Sequence, residues 1–244
     1  MTQQLTGINS ILEAIRGRRR VQKIIVQEGK NGKKIEELLR LAEKRGIFCQ
    51  TVDRRRLDQM ASPEPHQGVL ALVDEYRYAQ LEEILEYAVG QGGEPLLLIL
   101  DGIEDPQNLG AIIRTAECAG VHGIIVPRHG SAEIGAAVGR ASAGAVEHMR
   151  IHQAANLVNT IRALKDKGFW IMAADMDGEQ DYYRTALPRP AALVIGGEGG
   201  GIRRLVKENC DLTVRIPMWG QVNSLNASIA AALLIYEVKR QQQD

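Results

Sequence analysis

The sequence predicts an α/β protein: a C-terminal parallel-sheet domain behind a small N-terminal α/β domain. Two observations carry that prediction. Beyond residue 95 the runs PLLLILDG, GIIVP, FWIMAAD, AALVIGG and LTVRIPM are almost continuously apolar, and helical patterns separate them. Strands buried on both faces of a parallel sheet need that composition. The charge balance also changes along the chain. Residues 1–60 hold 14 Lys/Arg against 7 Asp/Glu, and the remainder holds 16 against 23, although the whole chain is neutral. A basic front part points to a module that meets a polyanion.

In chain order, LTGINSILEAIRG reads as a helix and VQKIIVQ as a strand. NGKKIEELLRLAEKRG has the spacing of an amphipathic helix, with Ile35, Leu38, Leu39 and Ala42 inward and Gly46 ending it. IFCQTV and GVLALV read as further strands, with the turn-rich SPEPHQG between them. LEEILEYAV reads as a short helix, and GQGGEP breaks the chain after it. The expected domains are therefore residues 1–75, a linker over 76–94, and residues 95–244.

Several function classes are disfavoured. No apolar run reaches the length of a membrane span, and the N-terminus lacks the apolar core of a signal peptide. Cys49, Cys118 and Cys210 are far apart and odd in number, which fits a reducing cytoplasm better than a disulfide framework or zinc site. His148 and His152 flank the strand-like MRIH, where a spacing of four does not bring side chains together, so no metal is expected. Met and aromatic residues are scattered, so a base-stacking platform is not expected and any RNA affinity is mainly electrostatic. Arg18, Arg19, Arg20, Arg54, Arg55 and Arg56 are its candidates.

Ligands of open parallel sheets sit beyond the carboxyl ends of the strands. Three such ends are polar or Gly-rich: DGIEDPQNLGAIIRTAECAGV, IGGEGGGIRRL and IPMWGQVNSLNAS. A dinucleotide site needs an acidic residue ending the next strand, but LTVRIPM leads to Trp219. Asn108 and Arg114 lie six apart, on a helix that begins near Pro106. Ile112, Ile113 and Ala116 make that helix look packed, and a buried Arg114 needs an anionic partner. In NSLNAS, Asn and Ser suit a helix cap. Four small polar residues in six exceed that need.

Together the three segments resemble the SpoU family of RNA ribose 2′-O-methyltransferases. Asn108-Leu109-Gly110-Ala111-Ile112-Ile113-Arg114 is similar to its N-x-G-x-x-x-R motif, LVIGGEGGGI to its second motif, and IPMWGQVNSLNAS to its third. The front domain, with HQGV near its end, is similar to the ribosomal-protein-type RNA-binding domain of the family's ribosomal RNA members. The resemblance implies a C-terminal sheet threaded as a trefoil knot (the SPOUT fold), a homodimer with the active site at the subunit interface, and S-adenosylmethionine as cofactor. It implies catalytic roles for Arg114, Asn108, Glu198, Ser224 and Asn226. It places Gly196, Gly197, Ile216 and Leu225 against the cofactor. The family role of Arg114 is the base, yet arginine stays protonated in proteins, so electrostatic stabilisation is the other role open to it. Ribosomal RNA is the expected partner, most closely a guanosine of the large subunit. Transfer RNA methylation, a non-catalytic RNA-binding protein and a nicotinamide-dependent oxidoreductase are the alternatives.

Overall fold

In the computed structural model, residues 2–61 and 65–242 are described, so residues 62–64 of the expected SPEPHQG turn lie outside them. The chain forms two compact units. In the first, β1 (Thr2–Thr6), α1 (Ile8–Arg16), β2 (Val21–Gln27), α2 (Lys33–Lys44), β3 (Phe48–Val52), α3 (Arg54–Met60) and β4 (Val69–Asp74) follow one another. Their sheet has the order β1-β4-β2-β3. The expected helix over LTGINSILEAIRG begins later than its sequence suggests. Thr2–Thr6 instead pairs antiparallel with β4, which places Leu5 in the core. Helices α1 and α2 bury Ile11, Ile15, Ile35, Leu38 and Ala42 on one face of the sheet, while Leu39 lies on the exposed side of α2. Helix α3 covers part of the other face, with Leu57 set against Ile25 and Leu70. Asp53 caps α3 by accepting a hydrogen bond from the Arg56 N–H at 2.9 Å.

The second unit contains α4 (Leu81–Gly90), β5 (Leu96–Asp101), α5 (Pro106–Cys118) and β6 (Gly123–Pro127). The chain then leaves it. Residues 133–148, with α6 (Ala136–Ala141), pack with residues 1–77. The chain returns as β7 (Ile151–Ala154), α7 (Leu157–Asp166), β8 (Trp170–Ala174), β9 (Gln180–Asp181), β10 (Ala191–Gly196), α8 (Arg204–Lys207), β11 (Leu212–Arg215) and α9 (Ala227–Gln241).

Two domain boundaries change accordingly. Residues 133–148 belong with the N-terminal unit, not with the C-terminal domain. The Ser10 hydroxyl donates to the Gly139 carbonyl at 3.1 Å, and the Arg140 guanidinium donates to the Thr6 hydroxyl at 2.9 Å. Of the supposed linker, residues 76–77 belong to the first unit, and residues 78–94 are a packed part of the second. Ile84 of α4 is fully buried in its core, and the Ala79 N–H donates to the Ile151 carbonyl.

The sheet of the second unit is parallel throughout, in the order β7-β6-β5-β10-β8-β11-β9. All six residues of β5 are buried, which explains the unbroken apolar run of its first five. From β5 the chain proceeds outward to β6 and β7, and later strands fill the other side, beginning with β10. The order therefore reverses between β5 and β10. That is the place where an open parallel sheet leaves a crevice beyond its strand ends.

Candidate active site

The carboxyl ends of β5 and β10 meet through backbone. The Gly197 N–H donates to the Asp101 carbonyl at 2.8 Å. A Cβ on Gly197 would stand 1.9 Å from the Gly102 carbonyl oxygen, so no larger residue fits between the two chain segments. Gly199 in the following turn has φ +109°, a conformation that side chains disfavour. The turn is anchored from below. The Asp101 carboxylate is buried and accepts from the Arg203 backbone N–H at 2.9 Å and from its Nε at 2.7 Å. The sequence reading missed Asp101, although its signal was visible as the acid ending LLLILD.

Three side chains converge above this turn. Asn108 sits in the first turn of α5, after Asp105 has capped that helix and Pro106 has opened it. Its Nδ2 donates to Glu198 Oε1 at 2.8 Å. Asn226 Nδ2 donates to the same oxygen at 2.6 Å and to Asn108 Oδ1 at 2.9 Å. Asn226 also caps α9, its Oδ1 accepting from the Ser228 N–H at 2.9 Å. One asparagine thus starts the helix and closes the polar cluster. Ser224 is exposed and lines the neighbouring cleft.

That cleft has a volume of about 730 Å³ and runs along the ends of β8, β10 and β11. Gly196, Gly197, Ile216 and Leu225 all line it, as do Ile195 and Met218. Asp175 and Lys207 face each other in its wall at 2.8 Å. Burial opposes ionisation of Asp175, but Lys207 and the Asp177 N–H hold its carboxyl below the usual carboxylate range. Asp175 was also missed, and it too ends an apolar strand.

Arg114 departs from expectation. It is exposed on α5 and makes no hydrogen bond or ion pair among the described residues. Six residues of helix turn it about 240° away from Asn108, so the two leave the helix on different sides. Among the arginines proposed for RNA, Arg19 is a correction. Its side chain is 5% exposed and pairs with Glu147 at 3.1 Å, because residues 133–148 cover it. Arg18, Arg20, Arg54, Arg55 and Arg56 are exposed. Among the described residues no cluster could hold a metal ion, and no helix is long and apolar enough to cross a membrane.

Sequence profiles match both parts of the chain. That of the SpoU rRNA Methylase family matches residues 95–236. The chain belongs to this family. A profile described as RNA 2′-O ribose methyltransferase substrate binding matches residues 4–79. A Staphylococcus haemolyticus protein, assigned by name to the TrmH family of tRNA/rRNA methyltransferases, is 42% identical over 98% of this chain and 95% of its own. Among solved structures, the SpoU methyltransferase AviRb from Streptomyces viridochromogenes, in complex with the cofactor AdoMet, is 26% identical. The match covers 99% of this chain and 90% of that one, with a TM-score of 0.80. An AdoMet-bound rRNA methyltransferase from Sinorhizobium meliloti is 25% identical over 98% of this chain and 87% of its own, also with a TM-score of 0.80. The protein is an RNA ribose 2′-O-methyltransferase, and S-adenosylmethionine is its cofactor.

The cleft fits that cofactor. Its volume lies within the roughly 300–1,000 Å³ of small-molecule sites. Apolar side chains of Ile195, Ile216 and Leu225 suit an adenine ring. A Cβ on Gly199 or Gly200 would meet nothing within 4 Å, so this wall presents bare backbone to a ligand. Bound there, S-adenosylmethionine supplies an electrophilic methyl group on sulfur.

Proposed function

We propose that the chain methylates the 2′-hydroxyl of a guanosine in large-subunit (23S) ribosomal RNA, acting in the cytoplasm as a homodimer. The observation that carries the methyl transfer is the Asn108–Glu198–Asn226 cluster at the rim of the cleft. It offers a fixed carboxylate and two amides to a ribose, so that its hydroxyl is held in line with the methyl carbon. Ser224 adds a further hydroxyl to the same rim. Gly196, Gly197, Ile216 and Leu225 hold the cofactor. Support for ribosomal RNA comes from the separate basic front domain and from the Sinorhizobium meliloti relative's name.

Arg114 stays cationic in this proposal. It binds a substrate phosphate and stabilises the negative charge that develops on the 2′-oxygen as its proton passes to solvent water. Its lack of a partner among the described residues is consistent with a partner from outside. Ile229, Leu233 and Tyr236 form an exposed stripe on α9, spaced at four and three residues. A second copy docked there lies next to α5, which packs beside α9, and so next to Arg114. The trefoil threading belongs to the same proposal.

The test is tritium transfer from labelled S-adenosylmethionine to unmodified large-subunit ribosomal RNA, with transfer RNA and Arg114→Ala alongside. Label in ribosomal RNA that is lost in the variant supports the reading, and digestion then identifies the nucleotide. Label in transfer RNA alone overturns the substrate. Wild-type rates in Arg114→Lys, which keeps charge but loses the planar fork, overturn the role of Arg114.

A further inference from the structure

The sheet of the N-terminal unit has one face that α3 only partly covers. Lys23 of β2 pairs with Phe48 of β3 and with Leu72 of β4, so the three stand in a row across that face. The next row is Leu70, Ile25 and Gln50, and there α3 packs, with Leu57 against Ile25 and Leu70. Phe48 lies beyond the helix and is 63% exposed. It is one of only two phenylalanines in the chain. The Lys23 ammonium stands 5.5 Å from its ring centre. Arg54, Arg55 and Arg56 are exposed at the start of α3, two residues after β3 ends.

We infer that this face is the RNA-docking surface of the N-terminal unit, and that Phe48 stacks on an unpaired base. The inference rests on the proposed RNA substrate and names the surface that holds it. Single-stranded nucleic acid is bound by aromatic side chains that stack on bases beside cations that track the backbone. Phe48 supplies the ring; Lys23 and the α3 arginines supply the charge. A second copy of the chain is a poor occupant, because it would bring like charges together. One exposed ring on a flat sheet is enough for stacking, so scattered aromatic residues in the sequence do not exclude it.

The test uses the full-length enzyme with S-adenosylmethionine and its RNA substrate, and compares Phe48→Ala, Phe48→Leu, Phe48→Trp and Arg55→Ala. Stacking predicts that Phe48→Ala and Phe48→Leu raise KM for RNA by roughly five- to a hundredfold. Their kcat, cofactor affinity and melting temperature stay at wild-type values, since the ring is exposed. Phe48→Trp restores KM. The salt dependence of RNA binding is unchanged in Phe48→Ala, whereas Arg55→Ala lowers its slope by about one. An unaltered KM in Phe48→Ala, in an enzyme that still methylates RNA, overturns the inference alone. Rescue by Phe48→Leu shows an apolar contact and overturns stacking. Absence of RNA methylation by the wild type overturns the proposed function as well.

Discussion

Asn226 donates from a single Nδ2 to Asn108 Oδ1 at 2.9 Å and to Glu198 Oε1 at 2.6 Å. The two asparagines lie 118 residues apart in sequence. One cap side chain thereby ties the start of α9 to the start of α5 and to the turn after β10. The cluster is a shared network, in which each side chain is bonded to the other two.

Glu198→Gln tests the charge at its centre. Two amides donate to Glu198 Oε1, and hydrogen bonds to a charged group contribute about 1.5–3 kcal/mol each. Single-turnover methyl transfer is expected to fall roughly 10- to 100-fold, the rate equivalent of one such bond. Cofactor affinity, measured by calorimetry, should be little changed. An unaffected single-turnover rate would remove Glu198 from the mechanism.

Asn226→Ser separates cap from catalysis. Serine caps a helix about as well as asparagine, so the melting temperature should stay near wild type. It has no amide to reach Asn108 and Glu198, so methyl transfer should fall sharply. Asn226→Ala loses both functions and should also cost about 1 kcal/mol of stability in chemical denaturation. Equal activity of Asn226→Ser and wild type would reduce Asn226 to a cap.

Gly197→Ala tests the close approach of β5 and β10. Its methyl group would lie 1.9 Å from the Gly102 carbonyl oxygen, and backbone cannot yield as a flexible side chain can. Overpacking of this kind costs about 1–3 kcal/mol. A lower melting temperature and weakened S-adenosylhomocysteine binding are expected together. Normal binding would show that the cleft tolerates a displaced turn.

Asp175 provides a pH test. Burial disfavours its charge, but Lys207 and the Asp177 N–H outweigh burial and hold its folded pKa below the unfolded value. The sign follows: its contribution is present above the unfolded pKa and is lost as pH falls through the folded value. Asp175→Asn should therefore lose stability at neutral pH and show a shallower decline on acidification, in thermal melts between pH 6 and pH 3. Parallel curves for variant and wild type would contradict the pairing with Lys207.

The sequence alone determined the class of the C-terminal unit, because strands buried on both faces cannot alternate with polar residues. It also marked Asn108 and Asn226 as residues at helix starts, whereas Glu198 was singled out only by the family resemblance. The fate of single charges was not legible. Arg18, Arg19 and Arg20 are identical residues in one run, yet only Arg19 is buried, because a segment more than a hundred residues later returns to cover it. Helix α5 was legible, but the exposure of Arg114 was not, because Ile112 and Ile113 face the core while the helix turns Arg114 away. The strand IFCQTV was legible, but the exposure of Phe48 on it was not, because it depends on how far α3 reaches across the sheet. Local pattern records which elements form. Which side chains meet depends on contacts between distant segments, and only the tertiary structure decides those.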